Sequence, residues 1–206
     1  MLNTCTKCKK YSAEKEISED GKFMTCPFCG HRQEITRTPL FIITGASAAG
    51  KSTISAQLFL KEKDYIVMES DIFWSDFYNE PETQYRKYRE FSLRMCKNIS
   101  QIGKPVVLCG SAIPKQFENC IERRYLSNIY YLAVVCDQDI LLKRLIEYRH
   151  FEDEELIKGS IEFNAWLKAN ADKTSPKIRL LDNSNLTVAE GVKIAEEWIY
   201  EHINQE

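Results

Sequence analysis

The sequence predicts an α/β fold: a doubly wound, five-stranded parallel sheet with helices on both faces, preceded by a small cysteine-bearing module. Three observations predict it. From residue 40 onward, five short apolar runs with a β-branched bias alternate with helical segments, and parallel pairing needs such crossovers. The first run passes straight into Gly45-Ala46-Ser47-Ala48-Ala49-Gly50-Lys51-Ser52-Thr53 and then into a helix. Ahead of these lie two cysteine pairs, Cys5/Cys8 and Cys26/Cys29, in a short polar stretch. Composition shifts once, near Arg37 to Pro39, which divides the chain into residues 1–36 and 37–206.

Taken in order, Leu40 to Thr44 is a buried strand, continuous in apolar residues and opened by Pro39. The helix from about Gly50 carries Ile54, Leu58 and Phe59 on its inner face. Tyr65 to Met68 is a second strand, ending at Glu69-Ser70-Asp71, and its end is expected beside the phosphate site. A long helix then spans Glu82 to Ile102, with Tyr88, Phe91, Met95, Ile99 and Ile102 at three- and four-residue steps. Gly103 stops it. Pro105 to Cys109 is the third strand, Lys115 to Tyr125 a helix, and Ile129 to Cys136 the fourth strand. Asp137 is placed to cap the next helix, whose apolar face is Ile140, Leu141, Leu142, Leu145 and Ile146. A charged stretch, His150 to Lys158, leads to a helix with Ile161, Phe163, Trp166 and Leu167. Ile178 to Leu181 is the last strand and Val188 to Ile203 the last helix, with Val192, Ala195 and Ile199 facing in.

Bulk composition narrows the function classes. With 44% hydrophobic and 28% charged residues the chain reads as an ordinary soluble domain. A formal net charge of −2 supplies no basic field for nucleic acid or membranes. No apolar run reaches about 18 residues, the length a membrane span needs, and Met1 to Lys10 lacks a signal-peptide layout. A cytoplasmic location is expected, with no membrane partner and no nucleic-acid partner. Cys96, Cys109, Cys120 and Cys136 are scattered among apolar residues and read as reduced core thiols.

The segment Gly45 to Thr53 fits G-x-x-x-x-G-K-[ST] between a strand and a helix, the pattern of a phosphate-binding loop. Its glycines let the backbone approach phosphate, its N–H groups converge, and the helix N-terminus adds partial positive charge. Lys51 is assigned to the β- and γ-phosphates and Ser52 to magnesium, with ATP as the nucleotide. An N/T-K-x-D guanine motif is missing, and the third strand ends Val107-Leu108-Cys109-Gly110 without a carboxylate. Both absences favour transfer to an acceptor over hydrolysis.

From Pro39 onward, about four fifths of the chain resembles the P-loop small-molecule kinases. That group includes nucleoside and nucleotide kinases, shikimate and gluconate kinases, and chloramphenicol phosphotransferase. The loop Gly45 to Ser52 looks particularly like that of the last. The resemblance implies that Asp71 is the acceptor-binding, catalytic aspartate. It implies that Arg144 and Arg149 belong to an arginine-bearing lid, and that Leu181 to Ser184 with Thr187 packs beside adenine. One departure is that Asp71-Ile72-Phe73 lacks the paired aspartates of shikimate kinases. Arg86, Arg89 and Arg94 fit a phosphate-binding set or a solvated helix face equally well. Phe73, Trp74, Phe77 and Tyr78 fit a stacking platform or packing under the helix. The expected acceptor is the hydroxyl of a nucleoside or a similar small metabolite. A runner-up reading is a nucleotide-gated regulatory or nucleic-acid-binding protein.

Cys5-Thr6-Lys7-Cys8 and Cys26-Pro27-Phe28-Cys29 are separated by the 17 residues from 9 to 25, a spacing that reads as a zinc site. Four thiolates make a closed, structural tetrahedron, and the segment resembles a zinc ribbon. Incidental thiols or a rubredoxin-type iron site are the alternatives, and His31 is a further candidate ligand. In the runner-up reading this ribbon is the reading head; otherwise it is open to a protein partner.

Overall fold

The computed structural model describes residues 2–60 and 64–205; Met1 and Glu206, the outer ends of the two expected parts, lie outside them. Three short antiparallel strands come first: β1 Glu16–Ile17, β2 Phe23–Thr25 and β3 Arg32–Glu34, in that order across a small sheet. Five strands follow in a second, all-parallel sheet: β4 Leu40–Gly45, β5 Ile66–Glu69, β6 Val106–Cys109, β7 Ile129–Val135 and β8 Ile178–Asp182. Their spatial order is β5-β6-β4-β7-β8, so the strand feeding the glycine-rich loop is central.

Alternation along β4 builds two cores. Leu40 and Ile42 face a cluster with Leu93, Phe117, Tyr131 and Leu167, while Phe41 and Ile43 face Leu58, Trp198 and Ile199 on the other side. Burying one such side chain stabilises the fold by about 1.5–3 kcal/mol. The first face is covered by α2 Arg86–Ile99, α3 Lys115–Glu118 and α5 Glu154–Asn170; the second by α1 Lys51–Phe59 and α6 Val188–Ile203. Between β7 and α5 lies α4 Gln138–Lys143, which passes into a π-helical turn over Arg144–Tyr148.

Several elements differ from expectation. Phe59 is 69% exposed, because α1 ends there and the residue has turned off the buried face. The helix expected over 82–102 is α2 with single 3-10 turns at Pro81–Thr83 and Ser100–Ile102. Its buried face is Tyr88, Arg89, Ser92, Leu93, Cys96 and Lys97, whereas Ile102 is exposed. The stripe is rotated because two cations on it find partners inside the protein, which periodicity cannot register. The helix expected to Tyr125 stops at Glu118, and Ile121–Tyr125 is a 3-10 turn. Asp137 stands at the head of α4, but its carboxylate pairs with Lys168 at 3.1 Å rather than capping the helix. Part of the charged stretch is helical, since Asp153 caps α5 through the N–H groups of Glu155 and Leu156.

The N-terminal sheet packs on the main body through a polar cluster. Lys97 and Glu122, both fully buried, form an ion pair. Asn3 joins them, accepting from the Lys97 ammonium and donating to Glu122 Oε1 at 3.0 Å. Arg94 donates to the same carboxylate oxygen at 2.8 Å. Beside them Tyr125 donates to the Ala13 carbonyl at 2.6 Å and packs with Leu2, Met24 and Ile35.

Candidate active site and metal centre

The two C-x-x-C turns fold alike. Lys9 and Gly30, each four residues past the first cysteine of its pair, adopt positive φ of 62° and 67°. Their N–H groups return to the carbonyls of Cys5 and Cys26, both at 3.0 Å. The Cys8 N–H also points at Cys5 Sγ, 3.4 Å away. All four sulfurs lie within 4.8 Å of one another, with Cys5–Cys29 and Cys8–Cys26 both at 3.7 Å. A tetrahedron with Zn–S bonds of 2.3 Å has edges of about 3.8 Å. The donor set therefore fits zinc. His31 is not a fifth ligand: its Nε2 sits 3.0 Å from Thr6 Oγ1.

At the carboxyl ends of the large sheet lies a cavity of about 630 Å³, the position where open α/β sheets bind ligands. Its floor is the loop after β4. Gly45 has φ 152°, and a Cβ there would stand 2.4 Å from the Val134 carbonyl oxygen; Gly50 has φ 111°, and a Cβ would meet Asn183 Nδ2 at 2.7 Å. Only glycine fits either place. The first turn of α1 has no side-chain cap and no acidic residue, so its N–H groups remain available to an anion. Ser52 and Thr53 stand exposed on that turn. Lys51 folds back to donate to the Ala46 carbonyl at 2.8 Å. Burial pushes its ammonium below the ordinary lysine value; Cys109 and Asp71 offset part of this, and the charge of Arg149 adds to it.

Asp71 reaches the cavity indirectly. It lies in the 3-10 turn Ser70–Phe73 past the edge strand β5, with β6 between β5 and β4, yet the end of β5 does come beside the phosphate loop as expected. The gap closes because Gly110, just past β6, has no side chain: a Cβ there would fall 1.8 Å from Ser70 Oγ. Tyr88 from α2 holds the Ser70 carbonyl at 2.7 Å, and Arg89 holds the Ser111 carbonyl at 2.9 Å.

The remaining wall comes from α4 and β8. Arg144 donates to Asn183 Oδ1 at 3.1 Å and to the Ala49 carbonyl at 3.3 Å, while Asn183 Nδ2 donates to the same carbonyl at 2.8 Å. Arg149 N–H bonds back five residues to the Arg144 carbonyl at 3.1 Å. A regular α-helix would set residues five apart about 140° around the axis; the wider π turn brings both arginines to the cavity.

No protein-family model matches the sequence, and no curated protein is similar to it. Solved structures do match. A sugar kinase from Janibacter sp. HTCC2649 superposes with a TM-score of 0.59 at 15% identity, over 80% of this chain and 95% of that one. A tunicamycin resistance protein from Deinococcus radiodurans gives 0.54 at 14% identity, over 78% and 93%. A gluconokinase from Sinorhizobium meliloti 1021 gives 0.52 at 16% identity, over 81% and 99%. The fold is that of a P-loop kinase.

Within this P-loop kinase fold the sequence-derived residues separate into groups. Ser47, Ala48, Gly50, Lys51, Ser52 and Thr53 line the cavity together with Asp71, Arg144 and Arg149. Gly45 contributes its carbonyl to Ser111 Oγ at 2.9 Å, and the methyls of Ala46 and Ala49 sit in a core with Cys136, Leu141 and Leu145. Arg86 bonds the Asn119 carbonyl and Arg94 bonds Glu122. Phe73 and Tyr78 pack on Phe91, and Trp74 packs on Tyr85 and Tyr88; Phe77 is 71% exposed. Glu69, Cys109, Ser111 and Tyr148 also line the cavity and were not singled out by sequence. For Glu69 a signal existed: it is the acidic residue that ends β5, two positions before Asp71, which lies in the 3-10 turn Ser70–Phe73. Among the described residues no helix is long and apolar enough to cross a membrane.

Proposed function

We propose that the protein is an ATP-dependent phosphotransferase that moves the γ-phosphoryl group to a hydroxyl of a small molecule, a nucleoside or similar metabolite. The observation that carries the reading is that Lys51, at an uncapped helix N-terminus, and Asp71, from the edge strand, line one cavity. Triphosphate lies on the loop Gly45 to Thr53, held by N–H groups and by Lys51, which turns from the Ala46 carbonyl to the phosphates. Ser52 is the residue placed to hold magnesium, which supplies charge neutralisation on the phosphate oxygens when bound. The two lid arginines divide the work. Arg149, close to Lys51, faces the transferred group, while Arg144 ties the loop to Asn183 on the nucleotide side. Asp71 accepts the proton of the acceptor hydroxyl as its oxygen bonds to phosphorus and the bond to the β-phosphate oxygen breaks, releasing ADP. Residues 1–36 form the zinc-bearing module and 37–206 the kinase domain.

Variants test this. Lys51→Ala should lose both binding of a non-hydrolysable ATP analogue and ADP release with acceptor. Asp71→Asn should bind the analogue within a few-fold of wild type while turnover falls about 100-fold, the scale of a general base. Arg149→Ala should lower turnover more than nucleotide affinity. Unchanged turnover in either Lys51→Ala or Asp71→Asn removes the proposal.

A further inference from the structure

The two halves of the cavity differ in charge. Among the described residues, the cations lining it are Lys51, Arg144 and Arg149, all on the loop and lid side. There a bound triphosphate opposes them, so they are not spare for a second ligand. The other side, where Asp71 stands, carries Glu69 as well, and both carboxylates are near enough to Lys51 to stabilise its charge. Glu69 ends β5 opposite Cys109 in the register, and its exposed side chain extends the same edge from which Asp71 projects. Two carboxylates thus flank the place where an acceptor must sit.

Helix α2 is the element that could offset them, and none of its cations is among the residues lining the cavity. Arg86 bonds the Asn119 carbonyl, Lys87 pairs with Glu80, and Arg94 and Lys97 share Glu122. Arg89 is nearest in influence to Asp71, but it is 5% exposed. It donates to the Ser111 carbonyl and lies over the Tyr88 and Phe117 rings at 5.0 and 5.2 Å. It stands behind the cavity wall rather than in it.

Resting on the kinase reading, we infer that Glu69 selects the acceptor by charge: a hydroxyl compound bearing an ammonium group is preferred, and one bearing a carboxylate or phosphate is rejected. Asp71 takes the reacting hydroxyl, and Glu69 takes the ammonium as a charge-assisted hydrogen-bond acceptor. An anionic acceptor meets two like charges there, and their repulsion disfavours it.

Matched probes on one skeleton test the inference: glucose, glucosamine, gluconate and glucose 6-phosphate, with adenosine and AMP as a second series. Binding is measured calorimetrically to the full chain loaded with magnesium and a non-hydrolysable ATP analogue, and ADP release is measured with ATP. The expected order is glucosamine, then glucose, then the two anions, with adenosine above AMP, and at least about tenfold between ammonium and anionic members. Glu69→Gln should reduce the glucosamine-to-glucose ratio about tenfold, and Glu69→Lys should invert the preference toward gluconate. A preference for gluconate, glucose 6-phosphate or AMP in the wild type overturns the inference, most directly if Arg89→Met removes it selectively. So does a glucosamine-to-glucose ratio that Glu69→Gln leaves unchanged, or failure of every probe to bind. Nucleotide-analogue binding that depends on Lys51 is scored separately, so the kinase reading stands or falls on its own measurement.

Discussion

At the scale of single residues, Gly110 decides whether Asp71 belongs to the site. The edge strand lies one strand too far from the phosphate loop, and only a residue without a side chain lets Ser70 and Asp71 lean over β6. Gly110 is not one of the positive-φ glycines, so alanine there is a test of space rather than of backbone strain. Gly110→Ala should displace Ser70 and with it Asp71. Turnover should fall at least about tenfold, while analogue affinity stays within a few-fold, because the loop Gly45 to Thr53 is untouched. Steady-state kinetics beside calorimetry would show this; wild-type turnover would mean that Asp71 does not act from its observed position.

At the scale of elements, α2 is held at both ends by polar contacts. Its first half fixes the chain around Asp71 through Tyr88 and Arg89, and its second half is held by Glu122 through Lys97 and Arg94. Burial pushes the Lys97 ammonium below its ordinary value, while Glu122 pulls it back up. Glu122→Ala would leave that ammonium buried beside the Tyr125 ring with the neutral amide oxygen of Asn3 as its remaining hydrogen-bond acceptor. The expected loss is about 3–5 kcal/mol in denaturant unfolding. The charged lysine is what the fold then disfavours, so its pKa drops further below the unfolded value. The loss should be complete at neutral pH and should fade as pH rises toward that unfolded value, where the unfolded chain also sheds the proton. The double variant Lys97→Met/Glu122→Leu should recover most of the stability. Equal destabilisation at all pH values would assign the effect to packing instead.

At the scale of the whole molecule, the question is whether the N-terminal module stands apart. The segment has little core of its own beyond Leu2, Met24 and Ile35, and these close on Tyr125 from the main body. Removing its metal should unfold it. The main body keeps both faces of its sheet covered and should stay folded, but with Lys97 and Glu122 opened to water. Chelation should therefore abolish the β1–β3 signals in hydrogen exchange, lower the melting temperature of the remainder, and be reversed by about one zinc per chain. A remainder that melts as before would show that the module adds nothing to the body it covers.

How much was legible in the sequence follows from range. Local rules suffice where the determinant is local: the glycine-rich loop between strand and helix, the doubled C-x-x-C spacing, and the continuous apolar run Leu40 to Thr44. These fixed the fold class, the phosphate loop and the four thiols before any coordinate. The resemblance to P-loop small-molecule kinases also pointed to Asp71, Arg144 and Arg149. Tertiary structure alone decided the rest. Strand order placed β6 beneath Asp71 and made Gly110 necessary. The π turn brought two arginines five residues apart to one cavity. Long-range partners from Asn3 and Glu122 let α2 bury Lys97 where its apolar stripe predicted Ile102. For the strand order and for α2 the deciding free energy belongs to contacts between residues distant in sequence, and hydrophobic periodicity within one element carries no record of them or of the π turn.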